Sequence, residues 1–307
     1  MTTAIRLVLG SGGARGLAHI GVIRELEQQD YEITEVIGCS MGALIGGFHC
    51  AGKLDAYEEW VSNLNEWDVL RFLDISLTSN DGLMKGDLII DTLRELVGDV
   101  NIEDLPIPFA AVATDILNRQ EVWLEKGKLF DAIRASIAVP GVFKPKKING
   151  RTLVDGGLLN PLPGVPHSAD DSSLTFAVSL SGRDVNEPLG PNPPELPPST
   201  LDKYRNTIDG FLDKAQDMLG LERDAEEDEE KEEYRELSLT GVMLGMFDTM
   251  QTQIARYRLA SYPPDVLIEI PANVCQTHEY FKAPALIYAG EHWAADALQR
   301  QAQALDR

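Results

Sequence analysis

The first sixty residues lay down a strand, a glycine-rich turn and a helix twice in succession, and few folds accept that pattern. "AIRLVLG" is a short apolar run of strand length ending in glycine, and "GLAHIGVIRELEQQ" follows with Leu17, Ile20, Ile23 and Leu26 near helical spacing. "EVIGC" reads as a second strand. "SMGALIGGFHCAG" reads as a second helix, whose Gly42, Gly46 and Gly47 let it lie close against a sheet. Two such units predict an α/β fold, a parallel sheet with helices on its faces. Downstream, Leu54 to Leu73, Asp87 to Val97 and "LFDAIRASIAV" read as helices, the last stopped by Pro140. "PFAAVAT", "QEVWLE", "RTLVD", "LTFAVSLSG" and "DVLIEIP" read as strands, the final one returning the chain to the sheet.

At the second strand–helix junction, Gly38-Cys39-Ser40-Met41-Gly42 fits GxSxG. Gly38 and Gly42 allow a sharp turn that exposes the Ser40 hydroxyl, and the helix N-terminus adds a positive dipole end that favours an ionised oxygen. A small residue packed at a glycine-rich junction is the competing explanation. The first junction, "GSGGARG" from Gly10 to Gly16, leaves the same edge of a parallel sheet, so both turns can face one site. Consecutive Gly12 and Gly13 let backbone N–H groups reach a developing oxyanion. A dinucleotide loop is the rival there. Counted from Gly10 the sixth residue of GxGxxG is Arg15, and counted from Ser11 the first is serine, so neither register fits fully.

Asp155 ends an apolar strand and is followed by Gly156 and Gly157. It is placed like a general base, or it is a simple turn aspartate. A serine hydroxyl needs a base within about 3 Å to become nucleophilic. An α/β-hydrolase triad, Ser…Asp…His in chain order, can be written with His167, His278 or His292. In that fold, however, the nucleophile follows several strands, whereas here it follows two. His19 and His49 fall inside helices, where packing is the expected role. The reading favoured by the residues is a Ser-Asp dyad without histidine.

Composition narrows the partners. With 27 Lys and Arg against 49 Asp and Glu, the net charge of −22 argues against nucleic acid, whose binding draws on clustered Lys and Arg, and opposes anionic bilayers overall. No run of about 18 apolar residues is present to span a bilayer, and "MTTAIRLVLG" lacks signal-peptide character. Cys39, Cys50 and Cys275, without CxxC spacing, suit a reducing compartment and neither a disulfide framework nor a zinc site. A cytoplasmic protein is expected, with no metal.

After Gly182, "NEPLGPNPPELPPST" reads as an extended linker. In the helix that follows, Ile208, Phe211, Leu212, Ala215 and Leu219 share one face. Glu222 to Glu236 carries ten acidic and three basic residues, a solvated helix or loop. A long helix follows, in which Val242, Met243, Met246, Phe247, Met250 and Ile254 form an apolar face expected to pack in the core. The earlier helix is a candidate cover over a binding groove.

Taken together, "GSGGARGLAHIGVIRELE", "VIGCSMGALIGG", "ATD" at Ala113 to Asp115, "AIRASIAVPGVF" and "LVDGGLLNPLP" resemble the patatin-like phospholipase family, in its bacterial members and the catalytic domain of neuropathy target esterase. The resemblance runs from Leu7 to about Leu180. It implies a three-layer α/β/α sandwich with a mainly parallel central sheet, and a single domain over residues 1–307 carrying a Pro-rich and acidic insertion at about 183–236. It further implies lipid acyl hydrolysis without a cofactor, with Ser40 as nucleophile, Asp155 as base and the turn Gly12, Gly13, Ala14, Arg15, Gly16 as oxyanion hole. Lipid or ester substrates are the expected partners, met through transient contact with a membrane or micelle. Ser11 departs from the family pattern, where many members carry glycine, and so does the Pro-rich and acidic stretch between Gly182 and Glu236, for which the family pattern gives no role.

Overall fold

The computed structural model describes residues 2–65, 68, 87–164, 174–195 and 239–305. Strands β1 (Thr3–Leu9), β2 (Tyr31–Cys39), β3 (Phe109–Asp115), β4 (Gln120–Leu124), β5 (Lys146–Ile148), β6 (Arg151–Asp155), β7 (Leu174–Gly182) and β8 (Val266–Pro271) form one sheet. Their order is β5-β6-β3-β2-β1-β7-β8, with β4 paired to β3 off that path. The helices are α1 (Ala18–Gln28), α2 (Met41–Cys50), α3 (Leu54–Ser62), α4 (Asp87–Val97), α5 (Leu129–Ser136), α6 (Leu239–Ser261) and α7 (Ala283–Leu305). The chain divides into two compact units, Met1–Leu196 with Phe247–Arg307, and Pro197–Met246. Of the second, the described residues are Leu239–Met246, the opening turns of α6.

Side chains alternate across a strand, and the cores follow that period. Leu7, Leu9, Val36, Ala111, Ala113, Phe176 and Val178 join the large core with Ile20, Ile23, Phe48 and Leu286 from α1, α2 and α7. Their neighbours point the other way: Val8 and Ala177 pack with Ala255 of α6, and Ile37, Ala110 and Val112 cluster beside Trp123. Helices therefore lie on both faces, and the fold is the expected α/β/α sandwich.

The sheet is more mixed than the expectation of a mainly parallel one. β1 pairs in parallel with β2 and β7, as do β2 with β3 and β7 with β8. The side built from β4, β5 and β6 is antiparallel. The reason is local turn chemistry. Asn149 and Gly150, with φ of 49° and 77°, supply the left-handed pair that a two-residue hairpin needs between β5 and β6. Asp115 closes the β3–β4 turn by accepting from the N–H groups of Leu117 and Asn118 at 3.2 Å each.

The Pro-rich stretch after β7 is tied to the protein as far as Pro191, whose carbonyl accepts from the Tyr288 hydroxyl. Val185 exchanges hydrogen bonds with the Asn273 side chain, and Trp293 Nε1 of α7 donates to the Pro188 carbonyl at 2.8 Å. The apolar face expected over Ile208 to Leu219, the acidic run to Glu236 and His167 lie outside the described residues. Helix α6 differs from expectation in which side it buries. Met243, Met246 and Met250 are exposed, whereas Gln251 and Ala255 are buried.

Candidate active site

Strand register brings the two central residues together. Cys39 of β2 lies opposite Val112 of β3, and Asp155 of β6 lies opposite Ala113, one residue further along the same strand. Ser40 leaves β2 at that level. Its hydroxyl donates to Asp155 Oδ2 at 2.7 Å. Asp155 reaches the site by a route different from the two glycine turns, because β6 runs against β3.

Ser40 sits at the point where strand turns to helix, with φ 55° and ψ −120°. A residue with a Cβ avoids this region, and holding it there costs about 1–3 kcal/mol. The surroundings impose it. A Cβ on Gly42 would fall 2.1 Å from the Leu9 carbonyl oxygen, so α2 can begin this close to β1 only with glycine there. The Ser40 N–H donates to Ser136 Oγ at 2.9 Å, and that hydroxyl donates onward to the Val112 carbonyl at 2.6 Å. Asp155 is equally fixed: its N–H donates to Ala138 O at 2.9 Å, and its Oδ1 accepts from Gly157 N–H at 2.7 Å.

The glycine turn becomes a short 3-10 helix, Gly13–Leu17, that abuts α2 beside Ser40. Gly16 is pressed onto Met41, the residue after the serine, and a Cβ there would lie 2.3 Å from Met41 Cβ. Gly13 has φ 57°, left-handed backbone that favours glycine. The Ala14 N–H is committed to Thr277 O at 2.9 Å and the Ser11 N–H to Pro161 O at 2.8 Å. Among the described residues the N–H groups of Gly12 and Gly13 have no hydrogen-bond partner. Arg15 is buried and turned back, its Nε donating to Gly12 O at 3.2 Å and its guanidinium paired with Asp248 of α6.

The electrostatics follow from burial. Asp155 is wholly buried, and desolvation of its charged form raises its pKa from 3.8 to about 7, against the opposing hydrogen bonds from Ser40 and Gly157. Burial pushes the Cys39 thiol and the Tyr280 phenol upward too, and the nearby Asp155 charge adds to both shifts.

Among the described residues no histidine is hydrogen-bonded to Ser40 or Asp155. His19 Nε2 meets the Gly10 carbonyl at 2.8 Å, so this nitrogen carries the proton, and burial lowers its pKa to about 4. His49 is buried in α2, His278 is exposed, and the His292 ring stands edge-on to Trp293. No group of three His, Cys, Asp or Glu among the described residues is arranged to hold a metal ion. Sequence reasoning missed Ser136, Asp248 and Gln251. Ser136 lies within a stretch read only as a helix, and the α6 pair lies off the apolar face expected to pack in the core.

A small cavity beside this cluster is lined by Ser11, Arg15, Leu180, Asp248 and Gln251. With that geometry in place, comparison with known proteins is specific. Residues 7–164 match the patatin-like phospholipase family model. An uncharacterised NTE family protein of Mycobacterium tuberculosis is 37% identical over 330 residues, covering 96% of this chain and 91% of that protein. Neuropathy target esterase sws of Drosophila persimilis is 36% identical over 168 residues, covering 52% of this chain and 12% of that much longer protein. The corresponding protein of Drosophila melanogaster is 33% identical over 201 residues, 58% of this chain and 14% of its own length.

Proposed function

This chain belongs to the patatin-like phospholipase family, and from that premise we propose that it is a serine lipid acyl hydrolase, of the phospholipase A, lysophospholipase or carboxylesterase type, working through a Ser40–Asp155 dyad. The observation that carries the reading is the 2.7 Å hydrogen bond from Ser40 Oγ to Asp155 Oδ2.

Ser40 Oγ attacks the acyl carbonyl carbon as its proton passes to Asp155. The carbonyl electrons move onto oxygen, and the N–H groups of Gly12 and Gly13 receive that charge. Collapse breaks the ester C–O bond, and the departing alcohol takes the proton from Asp155. Water then attacks the acyl-Ser40 ester, gives its proton to Asp155, and releases the fatty acid as Ser40 regains its hydrogen. A carboxylate with a pKa of about 7 is a far better proton acceptor than an ordinary aspartate and is still half ionised at neutral pH. The left-handed turn at Ser40 keeps the hydroxyl clear of its own helix. Free Cys39, Cys50 and Cys275 suit a cytoplasmic protein. No helix among the described residues is long and apolar enough to cross a membrane. On the proposed reading, lipid is met by transient contact with a membrane or micelle surface.

The test is labelling with a fluorophosphonate, which phosphonylates an activated serine. Wild type should label at Ser40, Ser40→Ala should not label, and a panel of phospholipids, lysophospholipids and glycerides should lose turnover in the same variant. Failure of wild type to label, or equal lipid hydrolysis by Ser40→Ala, overturns the assignment.

A further inference from the structure

The family match stops at residue 164, yet the glycine turn is held by a helix that begins much later. Along α6, Asp248, Gln251, Ala255 and Arg258 recur at intervals of three, four and three, so they share one face. Each meets a different part of the site's scaffold. Asp248 pairs with Arg15. Gln251 Oε1 accepts from Ser11 Oγ at 3.0 Å. Its amide nitrogen sits so close over Gly157 that a Cβ there would come within 2.2 Å. Arg258 pairs with Glu121 of β4, whose other oxygen accepts from Asn160 Nδ2 at 2.8 Å, five residues after Asp155.

The geometry of Arg15 gives this arrangement a chemical consequence. In a trans peptide the C=O and N–H point in opposite directions. Arg15 Nε holds the Gly12 carbonyl, so it also fixes where the Gly13 N–H points. Glycines on both sides of that peptide would otherwise let it rotate. Arg15 is itself a buried cation, its side chain 5% exposed, and a buried charge needs a partner to stay in place. Asp248 supplies one, and Gln251 anchors the turn one residue before Gly12.

We infer that Asp248 and Gln251 are positioning residues that act through Arg15 and Ser11 to hold the Gly12–Gly13 peptide in its oxyanion-binding orientation. The inference rests on the hydrolase reading above, and it makes a helix beyond the matched segment part of the site's precision. A misplacement of about 1 Å at such a donor can cost roughly 100-fold in rate.

The experiment is steady-state kinetics on a short nitrophenyl ester, with thermal melting as a fold control, for Asp248→Asn, Asp248→Glu, Gln251→Leu, Arg15→Gln and the double variant Arg15→Gln/Asp248→Asn. Asp248→Asn preserves shape at a half-exposed side chain and should fold. Expected are a 10- to 100-fold fall in kcat with KM within about twofold, a smaller fall for Gln251→Leu, and recovery of most of the rate in Asp248→Glu. The apparent pKa governed by Asp155 should not move, because the base is untouched. Arg15→Gln alone and the double variant should be equally slow, since the two residues act in series. Unchanged kcat in Asp248→Asn, a loss confined to KM, or strictly additive losses in the double variant would overturn the inference. Absence of Ser40 labelling in wild type would instead strike the hydrolase reading itself, so the two failures are told apart.

Discussion

The Ser136 hydroxyl bridges two strands at the site, accepting from the Ser40 N–H at 2.9 Å and donating to the Val112 carbonyl at 2.6 Å. Both residues are buried, and alanine at 136 would leave the Ser40 N–H without its acceptor and take a donor from the Val112 carbonyl. An unsatisfied buried group costs about 1–3 kcal/mol. Ser136→Ala should therefore melt several degrees below wild type and label more slowly with a fluorophosphonate, while Ser136→Thr retains part of both. Equal melting temperatures for Ser136→Ala and wild type would show that the bridge contributes nothing.

The backbone at Ser40 allows strain and chemistry to be separated. Ser40→Ala and Ser40→Gly both remove the proposed nucleophile, and both should be inactive. They should not be equally stable. With φ at 55°, alanine keeps the cost of a Cβ in left-handed backbone and glycine relieves it, so Ser40→Gly should be the more stable by about 1 kcal/mol. Urea midpoints measured side by side decide this, and a Gly variant no more stable than the Ala variant would mean the turn is unstrained.

Asp155 links activity and stability to pH with opposite signs. In its proposed role as base it must be ionised, so kcat/KM should rise with pH and level off above about pH 7. For stability, the folded chain keeps a proton on Asp155 between about pH 4 and pH 7 that the unfolded chain has released. Raising the pH across that window favours unfolding, by up to on the order of 4 kcal/mol at about 1.4 kcal/mol per tenfold. Tyr280 and Cys39, both with raised pKa, stay protonated there and add no slope. Asp155→Asn should be nearly inactive, and its stability relative to wild type should improve as the pH rises from 4 to 8. His278→Ala and His292→Ala should keep near-wild-type rates. A histidine variant as slow as Asp155→Asn would point to a triad.

At Gly13 a side chain meets two obstacles. The φ of 57° disfavours it, and its Cβ would lie 2.6 Å from the Thr277 carbonyl oxygen that receives the Ala14 N–H. Gly13→Ala should lose roughly 100-fold in kcat with little change in KM, the scale of one lost oxyanion donor. A change in KM alone would assign the turn to substrate binding instead.

What could be read in advance was whatever is written in neighbouring residues. Apolar runs of strand length, glycines at their ends and helical spacing after them located β1, α1, β2 and α2, and marked Ser40 and Asp155 as residues at strand ends. Their meeting depends on β3 lying between β2 and β6, which local pattern does not state. Asn149-Gly150 was a hairpin signal that the reading passed over, and with it went the antiparallel side of the sheet. Helix α6 was misjudged because periodicity ranks faces by apolarity. Its buried face is chosen by Ser11, Arg15 and Glu121, more than a hundred residues earlier in the chain, and polar pairing over that distance leaves no local trace.

The strand order bears on any attempt to shorten the protein. β1, which delivers the glycine turn, lies between β2 and β7, and β7 begins at Leu174, ten residues past the end of the matched segment. Cutting the chain at residue 164 would strip one side of β1 and leave Ile5 to Leu9 as an open edge, with backbone donors and acceptors that had been bonded to β7. An apolar edge of that kind invites pairing with another copy. A fragment carrying every residue of the family signature would thus be prone to aggregate, and a shortened form suited to crystallisation has to retain β7, β8 and the helices that cover them.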